Sequence, residues 1–214
     1  MIRVLVADDH QLVRDGLKRI LGAAEGIAVA GEAASGDDAL ALVKANDYDL
    51  LLLDMSMPGL SGIDLIKRLR IERPKLRILV LSMHGEQQYA ARAIKAGASG
   101  YLTKDSASDH LIRAIRKIAA GGLLVSETAI AGLVADPGAG DAPPHTLLSD
   151  REFEVLRLLA EGRTPTEIAA RLHLSVKTVS THKARVLQKM NLEGTADLVR
   201  YALEHGLLEH KPGT

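Results

Sequence analysis

Two periodicities divide the chain. Up to about residue 120, short unbroken apolar runs alternate with stretches whose apolar residues recur every three or four positions; these are the marks of buried strands and amphipathic helices. IRVLVA (Ile2–Ala7), IAVAGEA (Ile27–Ala33), DLLLLD ending at Asp54, RILVLS (Arg77–Ser82) and ASGYLT (Ala98–Thr103) have strand length. Gln11–Ala24 sets Val13, Gly16, Leu17, Ile20 and Leu21 on one face, and helices are predicted over Gly36–Asn46, Ser61–Glu72 and Gln87–Ala96. A last helix opens at Ser106, with Asp109 three residues on as in a capping box, and carries Leu111, Ile112, Ile115, Ile118 and Ala119 at helical spacing. Continuous apolar strands are covered on both faces, and parallel neighbours need crossover helices. The expectation is an α/β domain over residues 1–120, a five-stranded parallel sheet wound on both sides.

Beyond it the pattern changes. Residues 121–146 read as a linker: DPGAGDAPPHT (136–146) is rich in Pro, Gly and Ala, and Gly121–Ala135 reads as part helical. From Leu147 every apolar repeat is helical. Ser149 with Glu152, and Thr164-Pro165 with Glu167, form capping boxes, while Ser175 and Thr195 are further N-cap candidates. Four short helices are predicted near 150–161, 165–172, 176–190 and 196–206, making residues 147–214 an all-α domain.

Composition narrows the function classes. Lys plus Arg and Asp plus Glu number 27 each, so only a local excess of charge can point to a partner. No cysteine is present, which excludes disulfides and thiolate metal sites. Aromatics are 2% with no Trp, which disfavours stacking on bases or sugars. The chain opens without a signal-peptide plan, and no apolar run approaches the ~20 residues of a membrane helix, so a cytoplasmic protein with no membrane partner is expected.

The chemistry gathers at the strand ends. In a parallel sheet the carboxyl ends share one edge, and ligands bind in the crevice beside it. The first strand ends in Asp8-Asp9, the third in Asp54, the fourth in Ser82, and Lys104 follows the fifth. Carboxylates so close repel unless a cation joins them, and an oxygen-only set selects Mg²⁺ or Mn²⁺ over zinc. A carboxylate beside such an ion can attack phosphorus. The run LLLDMSMPG (Leu51–Gly59) thus ends its strand on a nucleophile, and the Pro58 turn clears room for the incoming group.

These residues carry a family resemblance. Asp8-Asp9, Asp54 with Met57-Pro58-Gly59, Ser82, Tyr101 and Lys104 resemble the receiver domain of a two-component response regulator, whose sheet is flavodoxin-like. The resemblance implies that Asp54 accepts a phosphoryl group from a sensor histidine kinase, with Lys104 and Ser82 assisting. It implies that Asp9 holds Mg²⁺ directly and Asp8 partly through water, with Asp54 and the Ser56 backbone carbonyl completing the site. Ser82 and Tyr101 become the pair that moves after phosphorylation. Asp105 stands where many receivers carry Pro, and His84 and Ser56 occupy positions that tune phosphate lifetime.

The second domain adds a basic helix. Ser175–Met190 holds Lys177, Lys183, Arg185 and Lys189 with no acid, a pattern suited to a polyanion. At ~100° per residue, Val179, Val186 and Met190 share the buried side with His182 at its margin. Lys177, Ser180, Thr181, Ala184 and Gln188 lie opposite, where small or polar side chains reach base edges. Lys183 and Arg185 flank them towards phosphates. LSDREFEVLRLLAEG, TEIAARLHLS and KTVSTHKARVLQKM resemble the helix-turn-helix output domain of the NarL/FixJ class, also found in LuxR-type regulators. That resemblance implies a recognition helix at 176–190 contacting double-stranded DNA through Lys177, Thr178, Ser180, Thr181, Lys183 and Arg185, and a homodimer formed on phosphorylation through the last helix.

The resulting expectation is a phosphorylation-regulated transcription factor, with no enzymatic turnover beyond its own phosphorylation and dephosphorylation. The alternative is a Mg²⁺-dependent small-molecule phosphatase or phosphotransferase. Such an enzyme needs a second acid soon after the nucleophile, which Asp54-Met55-Ser56 lacks. Dinucleotide binding is a weak reading, because no GxGxxG follows the first strand.

Overall fold

Each apolar run of the first half is a strand. The structure, a computed structural model, describes residues 1–55, 57, 60, 62–82, 87–104, 108–125 and 143–208, with backbone alone for 87–89. It divides into two compact units, Met1–Leu133 and Val134–Thr214. In the first, β1 (Ile2–Ala7), β2 (Ile27–Ala33), β3 (Leu50–Asp54), β4 (Arg77–Ser82) and β5 (Gly100–Thr103) form one parallel sheet in the order β2-β1-β3-β4-β5. This is the flavodoxin-like doubly wound arrangement, with its switch point beside β1 and β3.

Alternation along the strands separates two cores. Val4, Val6, Leu50, Leu52, Leu79, Leu81 and Leu102 face Leu17 and Leu21 of α1 (Gln11–Gly22) and Leu111, Ile115 and Ile118 of α5 (Ser108–Ala119). Leu5, Leu51, Leu53, Ile78 and Val80 point the other way and are equally buried, on the side taken by α2 (Gly36–Ala45), α3 (Gly62–Glu72) and α4 (Gln87–Ala96). Each fully buried leucine contributes on the order of 2 kcal/mol, so the middle strands are fixed firmly enough to position what stands at their ends. A Cβ on Gly36 would run into the carbonyl of Leu60. The glycine lets the chain leaving β3 pass close to the start of α2.

The segment expected as a linker is structured at both described ends. Leu124 bridges Gly100 in parallel, donating its N–H to Ser99 O at 3.0 Å and accepting from Tyr101 N at 3.3 Å. At the other end Pro144–Leu147 form a 3₁₀ turn that buries His145, whose Nδ1 lies 2.6 Å from the Tyr201 hydroxyl.

The second unit contains, among the described residues, α6 (Asp150–Ala160), α7 (Pro165–Leu172), α8 (Val176–Met190) and α9 (Thr195–Glu204). Phe153, Leu156, Ile168, Leu172, Val179, Val186, Met190, Leu198 and Ala202 make its core. Both capping boxes form, and Ser175 caps α8 by accepting from Thr178 N. Thr195 is not an N-cap: Gly194 holds that position in extended geometry with no side-chain bond, and Thr195 is the first helical residue. The α7–α8 turn passes through His173 in the left-handed region, φ 53°. No helix among the described residues is long and apolar enough to cross a membrane.

Candidate functional site

The carboxyl ends of β1 and β3 bring their acids together. One ligand atom from each of Asp8, Asp9, His10 and Asp54 lies within 4.8 Å of the others. Asp8 and Asp54 are 1% and 2% exposed, and Ser82 at the end of β4 is 1% exposed. Lys104 follows β5 and reaches into the group, its Nζ 2.6 Å from Asp8 Oδ2 and 3.3 Å from Asp54 Oδ1. The Lys104 N–H donates to Ser82 O at 2.8 Å, which ties the lysine's turn to β4. Tyr101 is half-buried on β5, opposite Val80 in the register.

Asp8 and Asp9 are neighbours with different tasks. Every polar atom of Asp8 is engaged: N donates to Ala33 O, O accepts from Arg14, Oδ1 accepts from His10 N and Oδ2 from Lys104. Asp9 Oδ1, by contrast, is shielded from solvent and receives no hydrogen bond, although His10 Nδ1 stands 2.8 Å away. A buried carboxylate oxygen without a donor is costly unless a ligand completes it. Three carboxylates against one lysine leave the pocket negative, and a hard divalent cation answers both the charge and the open oxygen. The residues present therefore fit Mg²⁺ or Mn²⁺. Ser56, whose carbonyl the resemblance adds to this set, lies outside the described residues, as do Pro58, Gly59, His84, Asp105 and Ser106.

The second unit offers an exposed helix face. Val176, Lys177, Ser180, Thr181, Ala184, Arg185 and Gln188 of α8 are exposed, while Thr178, His182 and Lys183 are half-buried. Thr178 is spent in the cap, its N–H and hydroxyl both against Ser175 Oγ. Ser180 and Thr181 turn their hydroxyls back along the helix, donating to Val176 O at 2.9 Å and Lys177 O at 3.0 Å. Their protons are used internally, so outward they offer oxygen lone pairs and, for Thr181, a methyl group. Among the described residues Lys177, Lys183 and Arg185 form no ion pair. Burial, followed by Arg151 and Arg185, lowers the His182 imidazole below its ordinary value despite Glu152 opposing them, so it adds no charge to this face at neutral pH.

Two features escaped the residue pattern. Lys189 does not belong to the basic surface: its Nζ lies 2.7 Å from Glu152 Oε2, which also closes the α6 capping box. Val176, 45% exposed at the first turn of α8, is an apolar side chain on the face turned outward. The hydrophobic count around the helix could have found Val176. Only tertiary structure could find the Lys189 pairing.

Residues 4–116 match the response regulator receiver domain, and residues 146–202 match the bacterial regulatory proteins of the luxR family. The chain is a response regulator. Within that family it is 37% identical over 211 residues to the response regulator UvrY of Escherichia coli O6:H1, covering 97% of this chain and 96% of the relative. Among solved structures, Salmonella typhimurium RcsB aligns at 30% identity with a TM-score of 0.76, covering 95% of this chain and 98% of that one. RcsB of Salmonella enterica serovar Typhimurium bound to promoter rprA in the presence of phosphomimetic BeF3- aligns at 31% identity with a TM-score of 0.69, covering 94% and 97%. The family is one of DNA-binding transcriptional regulators and not of classical enzymes, and a small-molecule phosphatase is not favoured. A response regulator of this kind joins a phosphoacceptor unit to a helix-turn-helix unit, and the two sites described above lie one in each.

Proposed function

We propose that this response regulator takes a phosphoryl group on Asp54 from a sensor histidine kinase and thereby controls its pairing and its grip on double-stranded DNA. The observation that carries the reading is the convergence of Asp8, Asp9 and Asp54 within 4.8 Å, with Lys104 Nζ 3.3 Å from Asp54. The receiver function is assigned to residues 1–120, with Leu124 paired on its sheet edge, and the output function to 147–214, with the Pro144–Leu147 turn packed on it.

Asp54 ends a fully buried strand, and its carboxylate is presented at the sheet edge beside Lys104. Its oxygen bonds to phosphorus while the P–N bond to the kinase imidazole breaks, and the leaving nitrogen keeps the electron pair and takes up a proton. Asp9, Asp8, Asp54 and the Ser56 carbonyl would hold Mg²⁺, which neutralises charge on the transferring group. Lys104 is positioned to exchange its contact with Asp8 and Asp54 for one with a phosphoryl oxygen, and the Ser82 hydroxyl donates to another. Ser82 and Tyr101 then move together, biasing a two-state surface. In the output unit Lys177, Ser180 and Thr181 face base edges from α8, Lys183 and Arg185 face phosphates, and Thr178 fixes the helix start. One neighbour named above is bound to a promoter in the presence of a phosphomimetic; for this chain the reading is a dimer on two half-sites, the general rule for helix-turn-helix proteins.

The test is incubation with a small phosphodonor and Mg²⁺, followed by mass measurement and DNA binding. A phosphoryl adduct on Asp54, absent in Asp54→Asn, and tighter DNA binding by the modified chain are expected. No adduct, or an adduct on Asp54→Asn, overturns the assignment.

A further inference from the structure

We propose that Arg14 is a positioning residue for the acid pocket, fixing through one backbone carbonyl the direction in which Asp9 offers its carboxylate to the cation. The proposal rests on the reading of the pocket as a Mg²⁺-dependent phosphoacceptor site and concerns a side chain outside the set that touches the ion or the phosphoryl group.

Arg14 lies in the first turns of α1 and is 9% exposed, a rare state for an arginine. Its guanidinium spreads over three acceptors. Nη1 donates to Asp8 O at 2.7 Å, Nη2 donates to Gln11 Oε1, and Nε sits 3.4 Å from Glu32 Oε2 near the end of β2. Glu32 is held in turn by Lys18 at 2.9 Å. The charge of Arg14 is therefore balanced within its own network and is not what the pocket receives from it.

What the pocket receives is geometry. Ladder pairing of β1 with β3 ends at Ala7 and Leu53, so the Asp8 carbonyl has left the sheet where the chain turns into α1. The peptide unit is planar, so holding the Asp8 oxygen also fixes the N–H and Cα of Asp9. Asp9 is the carboxylate whose buried Oδ1 receives no hydrogen bond, and the ring beside it, His10 Nδ1 at 2.8 Å, is 66% exposed and belongs to the next residue, so it follows the same backbone. Arg14 thus supplies support to this ligand's backbone from α1, beyond the adjacent His10. A lysine cannot replace it, because a single ammonium lacks the planar fork that meets three separated acceptors.

The experiment measures Mg²⁺ binding to the full, unphosphorylated chain by calorimetry, with melting temperature and rate of phosphorylation by a small phosphodonor recorded alongside. Arg14→Lys is expected to weaken Mg²⁺ binding by about tenfold, in the range for outer partners of metal ligands. Its phosphorylation rate at saturating Mg²⁺ is expected to stay within about twofold of the parent, the separation a positioning role requires. Glu32→Gln, which removes the ion pair and leaves the Arg14–Asp8 bond, should lower the melting temperature with Mg²⁺ affinity unchanged. Gln11→Met, which removes only one acceptor, should weaken Mg²⁺ binding by less than Arg14→Lys. Parental Mg²⁺ affinity in Arg14→Lys, or an equal loss in Glu32→Gln, overturns the proposal while leaving the phosphoacceptor reading intact. A parent chain that takes up neither Mg²⁺ nor phosphoryl brings down both.

Discussion

In the receiver unit, Asp8 and Lys104 stand 96 positions apart and meet at 2.6 Å. In the output unit, the side chains proposed for DNA all belong to one helix, Val176–Met190. The first site is assembled by the sheet: Asp8, Asp54 and Ser82 are almost fully buried, and Lys104 reaches Asp8 and Asp54 from another element. The second is displayed on a surface, and its groups owe their order to helical phase. The difference sets what each can do. A buried, negative pocket can discriminate a small hard cation and orient a phosphoryl group, because low solvent access strengthens every charge within it. An exposed cationic face gains affinity mainly by displacing counterions and reads bases through a few protruding groups.

The contrast is broken most sharply at Asp9. Asp9→Asn keeps the size of the side chain and removes the charge from the open oxygen. Mg²⁺ affinity should fall by more than about 100-fold, beyond the range for outer partners, while the fold is kept because Asp9 anchors no other element. Calorimetry checks the first expectation and thermal melting the second. An Asp9→Asn chain that binds Mg²⁺ as the parent does would show that the charge on Asp9 is not what draws the ion.

The same contrast explains what could be read from the residues alone. The five strands and their flanking helices follow from runs such as Ile2–Ala7 and Arg77–Ser82, since hydrophobic pattern is local and decides which segments are buried. Strand ends then name Asp8, Asp9, Asp54, Ser82 and Lys104 as neighbours, because a parallel sheet places all carboxyl ends on one edge. Arg14 was not legible. A cation at that helical position reads as a surface residue, and its burial depends on Glu32 and the Asp8 carbonyl arriving from elsewhere. Lys189 misleads in the same way: it completes a basic helix in sequence, yet pairs with Glu152, 37 positions away. Thr195 looked like a cap by residue type, but the turn begins one residue earlier on Gly194. Local preference marks the region of a helix start, whereas the backbone path decides the residue.

Glu152 sharpens the comparison inside the output unit, where it is a buried site of the receiver kind. Burial pushes its carboxyl up, but the hydrogen bond from Lys189, those within the Ser149 cap and the Lys189 charge together bring it below its ordinary value of 4.5. A depressed folded value means that the ionised form stabilises the fold above the unfolded value, and that this contribution is lost as pH falls through the folded value. Glu152→Ala removes cap and pair together and should cost roughly 2–3 kcal/mol at neutral pH. Glu152→Gln keeps the cap and should cost about 1 kcal/mol, since Lys189 remains partly in water. Thermal melts should show the gap between the parent and Glu152→Gln narrowing below pH 4.5. A gap that stays constant into acid would assign Glu152 to capping alone.

The smallest effect tests how α8 reads its sequence. Because Ser180 and Thr181 donate to carbonyls one turn back, neither offers a proton to a base. The outward groups in the central rows become the Thr181 methyl, the Ala184 methyl and the exposed Val176, with Gln188 one turn on. Apolar groups at base edges meet the thymine methyl, and a glutamine pairs with adenine. Selecting sites from random duplexes with the full chain should therefore enrich thymine under α8. Replacing that thymine by uracil removes one methyl, a loss of about 0.8 kcal/mol or roughly fourfold in affinity. Thr181→Ser deletes the opposing methyl and keeps the hydroxyl in its helical bond. If the two methyls touch, the serine variant should be indifferent to uracil, and the two changes together should cost no more than either alone. Additive losses would place the methyl contact on Ala184, one turn of the helix away, or on Val176 at the helix start, and a dependence on guanine would hand the reading to Lys177.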